Sequence, residues 1–419
     1  MRIKSKIFKL VCFTTFLLFC HIACVASSYA QSEQDADQVK TPGITKVNKN
    51  DIFARFKKPM PKVPPMDDKE FEDLTNLYET VPFNDPLLAY SIRVPKDWEK
   101  MEDKGSSNFL LSNKLFSDMG LFYSPPDLYG RSKIEIKVIN LEYQMTAEQW
   151  YLMYILQTGM TTEGMTVYDD NKAEALTVIM EQDVSFIKRT VVQINGKRLI
   201  LVDYFVPLAN WKKDQSVQSK VIESFKIKNP KHEYPEEFLK YQFLDIAEVQ
   251  YPESWDVRPA PLRSADRMAS KFIKLHKTTD PMTRKVKTST EGQIEVSLIS
   301  LMAVETVSRE IDLYKKNLEN SGMIIGEKLE NIDSIKYSKS FTLALTEVYR
   351  AIDSTHDDID YELWYSVLIA GNYVYMVTLL TPGRNDSFAL WVRNTEAYKT
   401  IIQNTRTSAN GFDLDGSSL

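Results

Sequence analysis

The chain has 419 residues, of which 43% are hydrophobic and 26% charged, with 52 basic and 57 acidic side chains. This composition is typical of a globular protein with two or three domains and excludes a largely disordered chain. The net charge of −5 disfavours binding to nucleic acid, which needs clustered lysine and arginine to contact phosphates.

Residues 1–30 have the pattern of an export signal. Basic residues lie between Arg2 and Lys9, an apolar run follows, and Ser28-Tyr29-Ala30 places small residues where signal peptidase cuts. We therefore predict cleavage after Ala30 and a periplasmic or secreted protein with no stable membrane span. An uncleaved N-terminal anchor is one alternative. Lipid anchoring at Cys24 is another, less well supported because His21 stands where leucine is expected.

Cleavage at that point removes all three cysteines, which are Cys12, Cys20 and Cys24. The mature chain then has neither disulfides nor thiolate ligands, so it must fold on its core alone. Residues 31–75 are polar and contain four closely spaced prolines, Pro59, Pro61, Pro64 and Pro65, which predict a flexible, extended arm. The arm is interpreted as a spacer or as a docking peptide for a partner. The polar residues 408–419 are expected to be disordered.

Between these ends, the same landmarks occur twice in the same order. An alternating strand runs into Pro95-Lys96-Asp97-Trp98, and another runs into Pro252-Glu253-Ser254-Trp255. The strand KIEIKVINL at 133–141 corresponds to QIEVSLISL at 293–301, and both alternate polar and apolar residues. Such a recurrence predicts two copies of one domain.

Each of these strands is followed by a predicted helix that ends at glycine. Thr146 and Gln149 have the spacing of a capping box, and Gly159 and Gly322 stand where a helix ends in the left-handed conformation. A β-hairpin turning at Asn195-Gly196 follows the first helix, and one turning at Gly371-Asn372 follows the second. A closing helix is predicted after each hairpin.

This order of elements resembles the PsbP-like fold, the family of the extrinsic P subunit of photosystem II and of bacterial exported proteins. The resemblance implies an α+β protein with two tandem α/β/α sandwich domains, at 76–229 and 236–407, each an antiparallel sheet flanked by helices. Members of this family are mostly binding or assembly proteins rather than enzymes. The resemblance carries over no functional residue.

The sequence predicts no catalytic, cofactor or metal site. The histidines after the signal, His232, His276 and His356, lie in polar loops without a nucleophile motif, and no glycine-rich phosphate loop is present. The acidic segment from Asp353 to Asp360 either binds calcium or forms a solvated turn.

Four tryptophans form the candidate binding surface: Trp98, Trp211, Trp255 and Trp391. For Trp98 and Trp255 a core position is the favoured interpretation, because each follows an alternating strand and a strand-ending proline. We therefore expect a non-enzymatic exported protein that binds or assembles a protein partner in the cell envelope. An accessory role in a secretion or conjugation apparatus is an alternative, and so is an envelope hydrolase acting through carboxylates that the sequence alone does not pair.

Overall fold

The computed structural model describes residues 53–101, 116–261, 264, 266–279, 282, 284–354 and 359–407. The predicted signal peptide, Cys24, the tail 408–419 and the residues 355–358 of the acidic segment lie outside this part. Among the described helices, none has the length and apolarity required to cross a membrane.

The described chain contains five α-helices and twenty strands that form two similar domains. Domain 1 is preceded by α1 (Asp68–Leu74) and consists of β1 (Thr75–Thr80), β2 (Tyr90–Pro95), β3 (Glu99–Lys100), β4 (Ser117–Tyr123), β5 (Lys133–Asn140), α2 (Ala147–Thr158), β6 (Thr161–Asp169), β7 (Lys172–Glu181), β8 (Val184–Asn195), β9 (Arg198–Pro207), α3 (Trp211–Ser224) and β10 (Lys226–Ile227). Domain 2 consists of β11 (Phe238–Phe243), β12 (Ala247–Pro252), β13 (Asp256–Pro259), β14 (Arg267–Thr279), β15 (Val286–Ser300), α4 (Val307–Asn320), β16 (Met323–Asn331), β17 (Leu343–Asp353), β18 (Asp360–Ala370), β19 (Tyr373–Pro382), α5 (Phe388–Gln403) and β20 (Arg406–Thr407).

The two domains have the same sheet topology. Domain 1 has a seven-stranded sheet in the order β3-β4-β5-β9-β8-β7-β6, and domain 2 has the order β13-β14-β15-β19-β18-β17-β16. Three-stranded sheets, β1-β2-β10 and β11-β12-β20, accompany them, and neighbouring strands pair antiparallel. The predicted α+β class with tandem antiparallel sheets is therefore confirmed.

The repeated Pro-x-x-Trp stretch is a turn between the two sheets of each domain. The Trp98 N–H donates to the Pro95 carbonyl at 3.1 Å, and the Trp255 N–H donates to the Pro252 carbonyl at 3.0 Å. The strand before each turn belongs to the small sheet rather than to the large one. The sequence did not separate these two sheets, because alternation marks a half-buried strand without identifying its neighbours.

Local sequence patterns correctly predicted the ends of α2 and the turns of the two hairpins. Thr146 and Gln149 form the capping box of α2, and Gly159 ends that helix with φ 67°. Gly196 turns the β8–β9 hairpin with φ 61°, and Gly371 turns the β18–β19 hairpin with φ 55°. These positive φ angles are strained for residues with a Cβ and favour glycine.

Each large sheet is covered on both faces. In domain 1, α3 and the small sheet cover one face through a cluster that includes Ile92, Ile136 and Val221, and α2 covers the other face. In domain 2, α5 and the small sheet cover one face, and α4 packs on the other. The layers are those of an α/β/α sandwich.

Helix α5 belongs to the cores of both domains. Tyr398 and Ile401 are buried in the domain 2 cluster, whereas Val392 is buried in the domain 1 cluster beside α2. The buried Gln149 side chain of α2 donates from Nε2 to Oε1 of Glu396 at 2.8 Å. The described residues of the two domains therefore share part of a core through α5.

Residues 53–75 are packed against domain 1, which differs from the flexible arm expected there. Phe53, Phe56 and Phe71 are only 3–5% exposed. We call residues 53–66 the N-terminal strap. Its Lys58 carbonyl accepts from the Met165 N–H of edge strand β6 at 2.7 Å. The buried phenylalanines hold this segment in place.

The strap passes so close to β6 that only glycine fits at position 164. A Cβ there would lie 2.7 Å from the Met60 Cα and 2.8 Å from the Pro59 oxygen. The corresponding edge strand of domain 2 carries Gly326, where the nearest atom to an added Cβ is the Arg350 oxygen at 3.4 Å. The two glycines therefore occupy corresponding positions, one packed against backbone and one exposed, and can serve as test and control.

We expect Gly164→Ala to lower the free energy of unfolding by about 1–3 kcal/mol, because overpacking against backbone forces the strap to move. Gly326→Ala is expected to change it by less than about 0.5 kcal/mol, as an exposed substitution does. Urea unfolding followed by circular dichroism measures both. Equal effects at the two positions would contradict the close packing of the strap.

Candidate functional site: an aromatic groove on domain 1

A groove of about 240 Å³ opens on domain 1 between the end of β5 and the exposed side of α2. Most of its lining is aromatic or apolar, and polar side chains lie among these residues: Phe116, Ile139, Asn140, Leu141, Glu142, Tyr143, Met145, Trp150, Met153, Tyr154 and Gln157. Phe116 directly follows residues 102–115, which are outside the described residues. Apolar concave sites with a few polar groups are the usual form of small-molecule sites.

Backbone contacts fix the loop that forms one wall of the groove. The Leu141 N–H donates to the Lys197 carbonyl at 2.8 Å, and the Ala147 N–H donates to the Asp170 carbonyl at 2.7 Å. The loop is thereby held against the β6–β7 and β8–β9 turns at both of its ends. The groove wall is part of the rigid framework of the domain.

Helix α2 supplies the aromatic wall because it is apolar on more than its sheet-facing side. The Trp150 and Tyr154 rings stack with centroids 5.2 Å apart and an interplanar angle of 12°. Phe116 meets Trp150 edge-on at 6.1 Å. In domain 2, helix α4 buries only Glu310 and exposes polar side chains on its outer side. The sheet and α5 cover two sides of α2, and a third apolar side of the helix faces the groove.

A buried charge cluster lies under α2, next to the groove. Lys188 Nζ on β8 lies 3.5 Å from Asp203 Oδ1 on β9, and the two side chains are 3% and 4% exposed. The Thr190 hydroxyl donates to the same carboxylate at 2.5 Å. Lys188 Nζ also lies 5.3 Å from the centre of the Tyr154 ring, which lines the groove. Burial opposes the charged form of Lys188, but Asp203, Tyr151 and Tyr154 together outweigh burial and hold the lysine pKa above its usual value.

Tyr151 adds an unusual polar group to this cluster. Its side chain is 1% exposed, and among the described residues its hydroxyl has no hydrogen-bond partner. The neighbouring Thr190 hydroxyl is already committed to Asp203. Burial raises the pKa of Tyr151 to about 12.

Domain 2 has uncharged residues at the positions of the buried ion pair. In the strand register, Asp203 lies opposite Glu135 on one neighbouring strand and opposite Thr190 on the other. Thr378 of domain 2 lies opposite Glu295 and Tyr365 in the same way. By the same registers, Leu363 stands in the place of Lys188. Thr378 donates its hydroxyl proton to the Tyr314 oxygen at 2.7 Å, so this hydroxyl pair is satisfied. The fold therefore does not require the buried ion pair of domain 1.

Glu135, the cross-strand neighbour of Asp203, does not have the character of a glycosidase acid. Glu135 lies 2.5 Å from Lys137 and 2.8 Å from Lys133. Burial opposes its ionisation, but the two lysines outweigh burial and hold the pKa of Glu135 below its usual value. A glycosidase acid needs a raised pKa, so this carboxylate is unsuited to protonating a leaving group.

The four candidate tryptophans do not share one surface. Trp98 packs edge-on to Tyr204 with centroids 5.2 Å apart, and the Trp211 Nε1–H donates to Gln218 Oε1 at 3.2 Å, both in domain 1. Trp255 is 2% exposed in the domain 2 core. Trp391 stacks on Phe388 and donates from Nε1 to Glu362 at 2.7 Å. For Trp255 this burial agrees with the core interpretation, because a strand-ending turn directs its ring into the core.

Sequence analysis missed Trp150 as a groove residue, although it lies on the predicted helix. The available signal was the presence of apolar residues on several faces of α2.

In the acidic segment, both carboxylate oxygens of Asp360 accept from Arg350, at 2.8 and 2.9 Å. No described group of three or more histidine, cysteine, aspartate or glutamate side chains is arranged to hold a metal ion.

No family model and no curated protein matches this sequence. Among solved structures, the chain is similar to the cyanobacterial PsbP (CyanoP) of Synechocystis, with 13% identity and a TM-score of 0.28 over 36% of this chain and 92% of that one. It is similar to the Ran-binding protein Mog1p of Saccharomyces cerevisiae, with 7% identity and a TM-score of 0.26 over 36% and 96% of the two chains. It is also similar to LpqN of Mycobacterium tuberculosis, which is involved in cell envelope biogenesis, with 12% identity and a TM-score of 0.26 over 40% and 100%.

The expected PsbP-like resemblance is thus confirmed as a likeness of fold. Each of these matches covers little more than a third of this chain and nearly all of the other protein. At these identities and TM-scores, we infer no function from the three proteins.

Proposed function

We propose that this is an exported, non-enzymatic binding protein whose groove on domain 1 accepts a small ligand with an aromatic or similarly planar apolar group. The observation that carries the proposal is the groove wall of Trp150, Tyr154 and Phe116. Domain 2 has the supporting role, because its helix α5 covers part of α2 and completes the domain 1 core. The protein is cleaved after Ala30 and acts in the periplasm or outside the cell, as the pattern of residues 1–30 supports.

The size of the groove limits the ligand. An apolar cavity of about 150 Å³ accommodates benzene, and ligand pockets usually begin at about 300 Å³. A volume of about 240 Å³ therefore suits one or two fused rings. Stacked and edge-on aromatic contacts favour a planar group over a branched chain.

Polar groups at the rim orient the ligand. Asn140, Glu142 and Gln157 line the groove and offer both donors and acceptors. The Tyr143 hydroxyl donates to the Ala389 carbonyl of α5 at 3.5 Å. A ligand in the groove therefore lies next to the contact between the two domains, which is where a binding event could be transmitted to an envelope partner.

The test uses 1-anilinonaphthalene-8-sulfonate, whose fused rings match the groove in size. We expect the purified protein to bind this probe saturably at one site. Met153→Glu, which places a carboxylate in the groove where it repels the sulfonate, is expected to weaken binding at least tenfold. The matched control is Leu313→Glu on α4, where the leucine is 45% exposed in domain 2. Fluorescence titration measures affinity, and circular dichroism checks that each variant is folded.

The proposal fails if the wild-type protein shows no saturable binding. It also fails if Met153→Glu binds as tightly as the control, since the probe would then occupy another surface. Binding to a folded Met153→Glu variant at wild-type affinity is decisive, because that result does not depend on loss of structure.

A further inference from the structure

Edge strand β6 of domain 1 is covered by the chain itself. The Lys58 carbonyl accepts from the Met165 N–H at 2.7 Å, and the Phe56 carbonyl accepts from the Thr162 hydroxyl at 3.1 Å. Gly164 and Met165 are buried under the strap. The seventh strand of the sheet is thus protected from pairing with other chains.

The same position in domain 2 is open. Gly326 is the fourth residue of β16, as Gly164 is the fourth of β6, and each strand has a register shift beside its glycine. Gly326 and Glu327 are exposed, and Ile324 is 54% exposed. Among the described residues, only β17 forms backbone hydrogen bonds with β16.

The connection between the domains explains why domain 2 has no strap of its own. Residues 53–74 precede β1 and supply both the strap and α1, whereas β10 is joined to β11 by only the ten residues 228–237. These ten residues are held near domain 1, where the Lys231 N–H donates to Asn195 Oδ1 at 2.6 Å. The second copy keeps the glycine that admits a strap without keeping the strap.

We propose that β16 binds an extended, basic, proline-containing segment of another protein, lying along Gly326 as the strap lies along Gly164. The strap shows the chemistry that fits. Residues 53–66 contain Arg55, Lys57, Lys58 and Lys62 and no acidic residue. Lys57 forms an ion pair with Glu148 at 2.9 Å, and Glu327 offers an exposed carboxylate beside Gly326. Prolines suit this role because they leave the outer side of the added segment without donors for a further strand.

The probe is a synthetic peptide with the strap sequence RFKKPMPKVPPM, residues 55–66. We expect it to bind the full protein and to slow hydrogen exchange at the β16 amides. Gly326→Ala is expected to weaken binding at least tenfold, because a Cβ at the equivalent Gly164 would lie within 2.8 Å of strap backbone. Asn331→Ala, exposed at the end of the same strand, is the matched control and is expected to bind as the wild type does.

Three results would overturn the proposal. Undiminished binding to Gly326→Ala would show that the peptide lies elsewhere. Protection at β6 rather than β16 would show exchange with the protein's own strap. A dimer in the absence of peptide that dissociates in Gly326→Ala would assign the edge to a second copy of this chain. None of these outcomes depends on probe binding in the groove, so the two proposals fail separately.

Discussion

Replacing Lys188 with alanine is expected to lower the free energy of unfolding by about 3–5 kcal/mol, as removal of one partner from a buried ion pair does. The substitution leaves the Asp203 carboxylate, 4% exposed, with the Thr190 hydroxyl in place of a cation. A buried charge without its partner is far more destabilising than the pair was stabilising. Urea unfolding at pH 7 measures the loss.

Domain 2 supplies the control for this experiment. The double variant Lys188→Leu with Asp203→Thr copies the side chains of Leu363 and Thr378, which occupy the same register positions. We expect it to recover most of the lost stability, because it removes both charges together. Lys328→Ala, which breaks the ion pair with Glu347 at 2.6 Å where the lysine is 39% exposed, is expected to change stability by less than about 1 kcal/mol. A double variant as unstable as Lys188→Ala would contradict the role assigned to the pair.

Val392→Asp is expected to lower the free energy of unfolding by about 3–5 kcal/mol, because it places a carboxylate in an apolar cluster. Val392 has no exposed surface and packs in the domain 1 core, although it belongs to a helix of domain 2. Hydrogen exchange should therefore speed up in α2 of domain 1 as well as in α5. That coupling distinguishes a shared core from two independent ones.

The control for this second experiment lies on the same helix. Ala389 is exposed in the first turn of α5, where an acidic residue is favourable at the positive end of the helix dipole. We expect Ala389→Asp to change stability by no more than about 0.5 kcal/mol. Faster exchange confined to α5 in the Val392→Asp variant would show that domain 1 holds its structure without that helix.

The features that the sequence predicted correctly are local ones. The turn at Asn195-Gly196 and the capping box of Thr146 depend on residues within a few positions of each other, so the chain itself defines them. The presence of two similar domains was also predicted, from the order and spacing of the repeated landmarks. This spacing is informative because an insertion within a strand would turn its side chains to the opposite face of the sheet.

The features that it did not predict depend on contacts between distant residues. Lys188 is a charged residue in a strand, and nothing nearby distinguishes it from a solvent-facing lysine; its burial depends on Asp203 and on the covering helix. To predict the strap, one would have to know that it packs on edge strand β6, which lies more than 100 residues further along the chain, as the Thr162–Phe56 hydrogen bond illustrates. To predict the groove, one would likewise have to know that α2 lies beside the end of β5.

The shared helix α5 has a consequence for the order in which the protein can be completed. Trp150 and Val392 are separated by roughly 240 residues, so the apolar side of α2 stays uncovered until α5 has docked on domain 1. A domain 1 that folds before α5 has docked is therefore an aggregation-prone intermediate with an exposed apolar helix.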